Sequence, residues 1–274
     1  MGSRTATEIA PGVYWYATGA VAGNIYFVQS GSSWVLIDTA TAGKERRIRE
    51  VAESLFGARS RPTAILLTHV HPDHSGSALE LAQAWDCPVY LHPDEMQLAI
   101  SRNLATVAQY ANPLDRWLIL PILRLLPRQW VESMMEKESL EEVVRTFEPG
   151  AAPPGLPEWT SITTPGHSPG HTSFFRQLDR VVIAGDALLA IDAGSIGGVL
   201  SLVFRPNRPQ ICEPPWYTNW DRTQVTASAN AIVRLHPQVL ATGHGRPLSG
   251  DSVVSHLHSY ACKCGLVETS TQTR

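Results

Sequence analysis

Ala64-Ile65-Leu66-Leu67-Thr68-His69-Val70-His71-Pro72-Asp73-His74 sets four metal-ligand side chains directly behind an apolar run. Ala64 to Leu67 has the length and aliphatic content of a buried strand. A strand end brings side chains to the edge of a sheet, where the following loop turns them inward. Imidazole and carboxylate together suit zinc, and also iron or manganese. A lone His-x-His is a weak signal, whereas His-x-His-x-Asp-His behind a buried strand is a strong one.

Three later stretches repeat the logic. Thr164-Pro165-Gly166-His167 follows a strand read over Ser161 to Thr164. Gly185-Asp186 closes a strand over Val181 to Ala184, and Thr242-Gly243-His244-Gly245 closes one over Val239 to Ala241. Each ligand-type residue adjoins a glycine, as a tight turn at a strand end requires. Any one of them alone reads equally well as an ordinary loop residue; seven in this order do not. The candidate metal set is therefore His69, His71, Asp73, His74, His167, Asp186 and His244.

Outward from this set, Val13 to Tyr16, Asn24 to Gln29 and Trp34 to Ile37 read as short strands, the last ending in Asp38. Lys44 to Phe56, Ser77 to Trp85 and Thr223 to Leu235 read as helices, and Val89 to Leu91 and Thr172 to Phe175 as further strands. Residues from about 93 to 148 have a helical pattern and form an insertion between strands. Within it, Trp117 to Leu126 is almost wholly apolar. It reads as an internal helix packed on the body, with a cap over the active site for an apolar substrate, or contact with a membrane surface, as the other readings. Pro149 to Pro157 is a stiff connection, and Ile191 to Trp220, rich in Gly, Pro and aromatics, is a long loop of the kind that carries function.

Bulk properties narrow the class. The chain has 274 residues, 43% hydrophobic and 17% charged, enough for a substantial core within one domain over 1–274. The net charge is −3 and no Lys/Arg run marks a phosphate-binding face, so nucleic acid is not an expected partner. Met1 to Pro11 lacks the apolar centre of a secretory signal, and no stretch reaches the length of a membrane span. Cys87, Cys212, Cys262 and Cys264 are too scattered for a disulfide framework. A cytoplasmic protein with free thiols is the expectation. The Cys262/Cys264 pair has no second ligand pair near it in sequence.

With its order His-x-His-x-Asp-His, Pro-Gly-His, Gly-Asp, Gly-His-Gly, the chain resembles the metallo-β-lactamase superfamily, in its dinuclear branch of glyoxalase II-like and lactonase-like proteins. The resemblance spans Asp38 to His244. It implies an α/β fold, a four-layer αββα sandwich with the metals at one edge of two sheets. It implies two zinc ions, with iron or manganese as alternatives. His69, His71 and His167 would hold one, Asp73, His74 and His244 the other, and Asp186 both. Asp38 matches the family's supporting aspartate. In Pro165-Gly-His-Ser-Pro-Gly-His171 only His167 matches a ligand position, which leaves His171 a supporting role. His92, His236, His256 and His258 match none and read as surface or packing residues.

The expected activity is hydrolysis by a metal-bridging hydroxide, with Asp73 ligating and also relaying the proton. The substrate is expected to be a small molecule, a carboxylic ester, lactone or thioester with an acyl or apolar part. Trp216, Tyr217 and Trp220 in the long loop and the apolar 117–126 run favour that choice. A β-lactam or a phosphodiester is the alternative within the superfamily, and iron-dependent redox chemistry the alternative of another class. Only about thirty residues follow His244, so the basic C-terminal helical domain of glyoxalase II is not expected. The tyrosine that lactonases place shortly after the bridging aspartate is replaced here by Ala187-Leu188-Leu189. A homodimer is compatible with the sequence.

Overall fold

The computed structural model of the chain describes residues 5–19, 23–101, 103–136, 139–191 and 210–263. Cys264 and most of the 191–220 loop (192–209) lie outside them.

Two sheets face each other. The first orders its seven strands as β1 (Thr7–Ala10), β2 (Val13–Ala17), β3 (Asn24–Ser30), β4 (Ser33–Ile37), β5 (Ala64–Leu66), β6 (Val89–Leu91) and β7 (Val144–Thr146). The connections set the strand directions. Strands β1 to β4 pair in chain order, each antiparallel to the next. Helix α1 (Glu45–Phe56) crosses from β4 to β5, and α2 (Pro72–Ser75) with α3 (Ala78–Trp85) crosses from β5 to β6. Those strand pairs are parallel, as helical crossovers demand. The second sheet includes β8 (Trp159–Thr163), β9 (Thr172–Arg176), β10 (Val181–Gly185), β11 (Val239–Thr242) and β12 (Leu248–Ser249), in the order β12-β11-β10-β9-β8. Here α8 (Arg222–Arg234) makes the crossover that leaves β10 and β11 parallel, and α9 (Asp251–Lys263) follows β12.

Alternation along the strands builds the layers. Val35 and Ile37 of β4 face the second sheet and meet Phe174, Val181, Ile183 and Ala241. Trp34 and Leu36 of the same strand face outward and are covered by Ile48 and Val51 of α1 and Leu81 and Trp85 of α3. On the far side, Val182, Ala184 and Leu240 are covered by Ala229 and Ile232 of α8 and Val253 and Leu257 of α9. The result is the expected αββα sandwich. Both faces of its central strands are buried, which is why those strands read as near-continuous apolar runs.

Between β6 and β7 run α4 (Met96–Ile100), α5 (Leu104–Gln109), a π-helical turn (Asp115–Ile119), α6 (Leu120–Leu125) and α7 (Arg128–Glu136). The apolar run expected to pack inward does not. Leu120 is buried, but Trp117, Leu118, Ile119, Ile122, Leu125 and Leu126 are exposed. Among the described residues, no helix is long and apolar enough to cross a membrane.

Candidate metal centre

Each side chain of the candidate set leaves a strand end at one edge of the sandwich. After β5, Leu67 and Thr68 carry the chain to His69. His71 keeps an extended backbone (φ −62°, ψ 148°), as a residue before proline must, and Pro72 then opens the single turn of α2. The turn divides the motif: His69 and His71 precede it, while Asp73 and His74 lie inside it. Asp186 follows β10, and His244 follows β11 across Gly243. His167 lies on the loop between β8 and β9.

Two sets of ligand-type atoms result. Nε2 of His69 lies 3.0 Å from Nδ1 of His71, which lies 2.9 Å from Nε2 of His167. Nε2 of His244 lies 3.1 Å from an oxygen of Asp73, and Nε2 of His74 lies 3.7 Å from the same oxygen. Asp186 stands between the sets: its Oδ2 is 3.5 Å from Nε2 of His167 and 3.4 Å from Nε2 of His244, and its Oδ1 is 3.6 Å from Nε2 of His74. The atoms of His69, His71 and His167, of Asp73, His74 and His244, and of His69, His74 and Asp186 form three groups compact enough to hold a metal.

The far side of three of the rings, His69, His74 and His167, is held. Nδ1 of His74 is 2.8 Å from Oδ2 of Asp38. The same carboxylate accepts the Thr68 hydroxyl (2.8 Å) and, through Oδ1, the Thr68 amide (2.8 Å). With its own proton committed to Asp38, Thr68 Oγ1 can accept only from Nδ1 of His69, 3.0 Å away, which leaves Nε2 of His69 bare. Nδ1 of His167 faces the Asn219 side-chain oxygen at 3.1 Å. Asp38 itself adopts φ +60°, a left-handed conformation that aspartate tolerates better than most residues.

Charge sorts the rings. Burial, reinforced by neighbouring rings, pushes His69 well below the usual imidazole range and His71 down to about 3, and burial also lowers His167. These three are neutral, the form that ligates. Burial opposes charge on His74 and His244 as well, but the carboxylates outweigh it. Asp186, Asp73 and Asp38 raise His74 to about 9, and Asp186 with Asp73 raises His244 to about 10. In turn, against their own burial, Asp73 and Asp186 are held below the usual carboxylate range by His74 and His244. The pocket thus concentrates negative charge that positive charge must meet.

The residues fit metal ions on two counts. Three imidazole nitrogens aim at one another about 3 Å apart. Ligands about 2.0–2.1 Å from a tetrahedral ion stand at roughly that spacing, slightly wider. And Nε2 of His74 and Oδ1 of Asp186 are buried with no hydrogen-bond partner, a costly state for polar atoms unless an ion supplies the partner.

Small residues leave room for the centre. A Cβ on Gly243 would overlap Oδ1 of Asp186 and approach Cε1 of His74 to 2.8 Å. Gly185, at φ +51°, would bring a Cβ to 2.7 Å from Nε2 of His171. That nitrogen accepts the Asp186 amide at 2.9 Å, while Nδ1 of His171 meets Thr164 Oγ1 at 2.9 Å. His171 therefore aims Asp186 through the backbone. Burial holds His171 neutral, at about 3.

Several contributors carry no spacing signal. Glu95, fully buried, accepts the amides of Val70 (3.1 Å) and Gly170 (2.8 Å). It pins the His69–His71 loop to the loop that carries His167. Burial raises its carboxyl, partly offset by those amides. Asn219 sits in the turn that also binds Trp220 N–H to the His167 carbonyl (3.2 Å). Asn24 Nδ2 holds the carbonyls of Thr242 (2.9 Å) and Gly245 (2.6 Å), and so fixes the His244 turn. An acidic residue at the start of an apolar helix face was the only available sign of Glu95. Of the other histidines, His92 is buried, caps a short turn by accepting the Asp94 amide, and packs on Phe147. On α9, His256 is half-buried and His258 exposed. Cys87 is buried, and burial lifts its thiol to about 12, which removes it as a nucleophile.

An αββα sandwich with clustered His and Asp side chains at the sheet edge defines a metal-dependent hydrolase. The sequence matches the metallo-beta-lactamase superfamily over residues 18–244, and the chain belongs to that superfamily. It is 33% identical over 241 residues to the probable metallo-hydrolase YflN of Bacillus subtilis, covering 87% of this chain and 86% of that one. Its fold is similar to that of the metallo-beta-lactamase family protein TTHA1429 from Thermus thermophilus, with TM-score 0.62 at 20% identity over 94% and 81% of the two chains. It is also similar to TTHA1623 in a di-iron-bound form, with TM-score 0.53 at 28% identity over 86% and 94%. The clusters and the family together point to a dinuclear metal centre.

Proposed function

We propose that the chain hydrolyses a carboxylic ester, lactone or thioester bearing an apolar acyl group. In this reading His69, His71 and His167 hold one zinc ion, Asp73, His74 and His244 the other, and Asp186 both. The observation that carries the substrate class is aromatic. Trp216 and Trp220 are exposed on the turn that is hydrogen-bonded to His167 through Asn219 and Trp220 N–H. In this reading they would wall an apolar group beside the reacting carbonyl.

When bound, the metal pair supplies a water of pKa about 7 and Lewis acidity toward a carbonyl oxygen. The chain's own groups do the rest. Asp73 has a third of its side chain exposed (33%), against 7% for Asp186. It is the carboxylate able to accept a proton from the attacking water and pass it to the leaving group. Glu95, His171 and Asn219 hold the loops and rings in place.

A panel of one lactone, one thioester, one β-lactam and one phosphodiester tests the reading, each assayed with the zinc-loaded chain. Turnover of the lactone or thioester, lost on chelation and restored by zinc, is the expected result. Turnover of the phosphodiester or β-lactam alone overturns the substrate class. Iron in the purified protein with no hydrolysis of any member overturns the reaction.

A further inference from the structure

Residues 116–130, Arg-Trp-Leu-Ile-Leu-Pro-Ile-Leu-Arg-Leu-Leu-Pro-Arg-Gln-Trp, form the least buried apolar segment among the described residues. Leu120 anchors it, and Val131 anchors the start of α7. Leu123 is half-buried, and most of the other large side chains face solvent: Trp117 is 79% exposed, Leu125 86% and Trp130 74%, with Leu118, Ile122 and Leu126 about half exposed. Leu118, Ile122 and Leu125 fall at helical spacing, so they share one stripe. Counting Ile119, seven large apolar side chains are exposed within fifteen residues, a concentration unlike the singly scattered apolar residues of an ordinary surface. Such a patch marks a surface that meets something.

Charge selects the occupant. The segment carries three arginines, Arg116, Arg124 and Arg128, all exposed, and no acidic residue, in a chain whose net charge is −3. Arg128 is shared with Glu132 at the next turn, 2.6 Å away. A second copy docked through the same segment would bring three exposed arginines from each side into one contact, with only Asp115 and Glu132 at its margins to offset them, a less favourable match than an anionic surface. An anionic surface pairs with them. Tryptophans at both ends, leucine and isoleucine between, and arginines alongside are the composition of a helix lying in a lipid–water interface. No helix among the described residues can span a bilayer, so the contact is with its surface.

We propose that residues 116–130 dock the protein on an anionic phospholipid surface. Trp117, Leu125 and Trp130 enter the headgroup boundary, and the arginines bind lipid phosphates. The proposal does not depend on which bond the enzyme hydrolyses.

Flotation of the full chain with vesicles tests it, using phosphatidylcholine alone and phosphatidylcholine mixed with phosphatidylglycerol. The chain is expected to float with the mixed vesicles, not with phosphatidylcholine alone, and to be released by high salt. Arg124→Gln should weaken binding about fivefold, and Trp117→Ala with Trp130→Ala about tenfold or more. These positions are exposed, and the variants should keep the parent's circular dichroism and metal content. Failure to float with either vesicle overturns the proposal. So does binding to both vesicles alike, or binding that neither variant weakens. A dimer in sedimentation, dissociated by the tryptophan pair and without flotation, would make a second copy the occupant. A raised KM for apolar substrates in that variant, again without flotation, would make the segment a wall of the active site.

Discussion

Asp38→Asn replaces one carboxylate oxygen by an amide nitrogen of nearly the same shape. Oδ1 of Asp38 accepts the Thr68 amide, so the asparagine must keep its oxygen there. Its NH2 then takes the place of Oδ2 and donates to Thr68 Oγ1 and to Nδ1 of His74, which lie 2.8 Å from that position. Thr68 can rotate its hydroxyl to accept. His74 can accept only by moving its proton to Nε2, the atom that faces Asp73 and Asp186. A protonated Nε2 cannot ligate, and forcing it back costs the hydrogen bond to the ring. Loss of such a partner behind a ligating histidine typically lowers metal affinity about 10–100-fold, or about 1.4–2.8 kcal/mol. The assay is zinc titration of the metal-free variant against a chromophoric chelator, with circular dichroism to verify the fold. The zinc site that includes His74 should weaken by that factor, and the site built on His69, His71 and His167 should weaken less, because the Thr68 hydroxyl released from residue 38 no longer fixes the His69 tautomer. Two sites within about twofold of the parent would refute the role of Asp38 in fixing the His74 ring.

Three further substitutions probe the centre. Asp186→Ala should leave at most one metal per chain and abolish turnover, read by elemental analysis beside the hydrolysis assay; full metal content with full activity would remove Asp186 from the shared position. Gly243→Ala places a methyl group on Oδ1 of Asp186 and against the His74 ring, so metal content should fall while the circular dichroism spectrum is kept, and an unaltered metal content would contradict the packing described. Glu95→Ala strands the buried amides of Val70 and Gly170, at a cost of about 2–6 kcal/mol. Its unfolding temperature should drop by several degrees, with Glu95→Gln in between, and a melting curve superimposable on the parent's would discard the clamp.

The strands that position the centre were legible because their chemistry is dense. β4, β5, β10 and β11 are short apolar runs that stop at a polar ligand-type residue, a pattern few other structures produce. His69 to His74 stood out because four such residues fall within six positions. The partners behind the rings could not be read this way. Asn219 and Glu95 each need one oxygen at one point in space, and nothing in their spacing distinguishes them from other polar residues. Edge elements escaped for a different reason: β1 and β7 are short and partly exposed, and β12 has two residues. Helix α9 buries Val253, Leu257 and Tyr260 at helical spacing, but its serines and histidines mask the period. The apolar 117–126 run failed most plainly. Composition identified a helix and predicted burial, yet only the packing around Leu120 decides which side faces the core, and that leaves most of the run exposed.

Elemental analysis of the purified full chain, expressed with zinc available and dialysed free of loose metal, tests the central claim most directly. The account predicts two equivalents of metal per chain, both removed by chelation together with all hydrolysis. One equivalent, or hydrolysis that survives complete removal of metal, would contradict it.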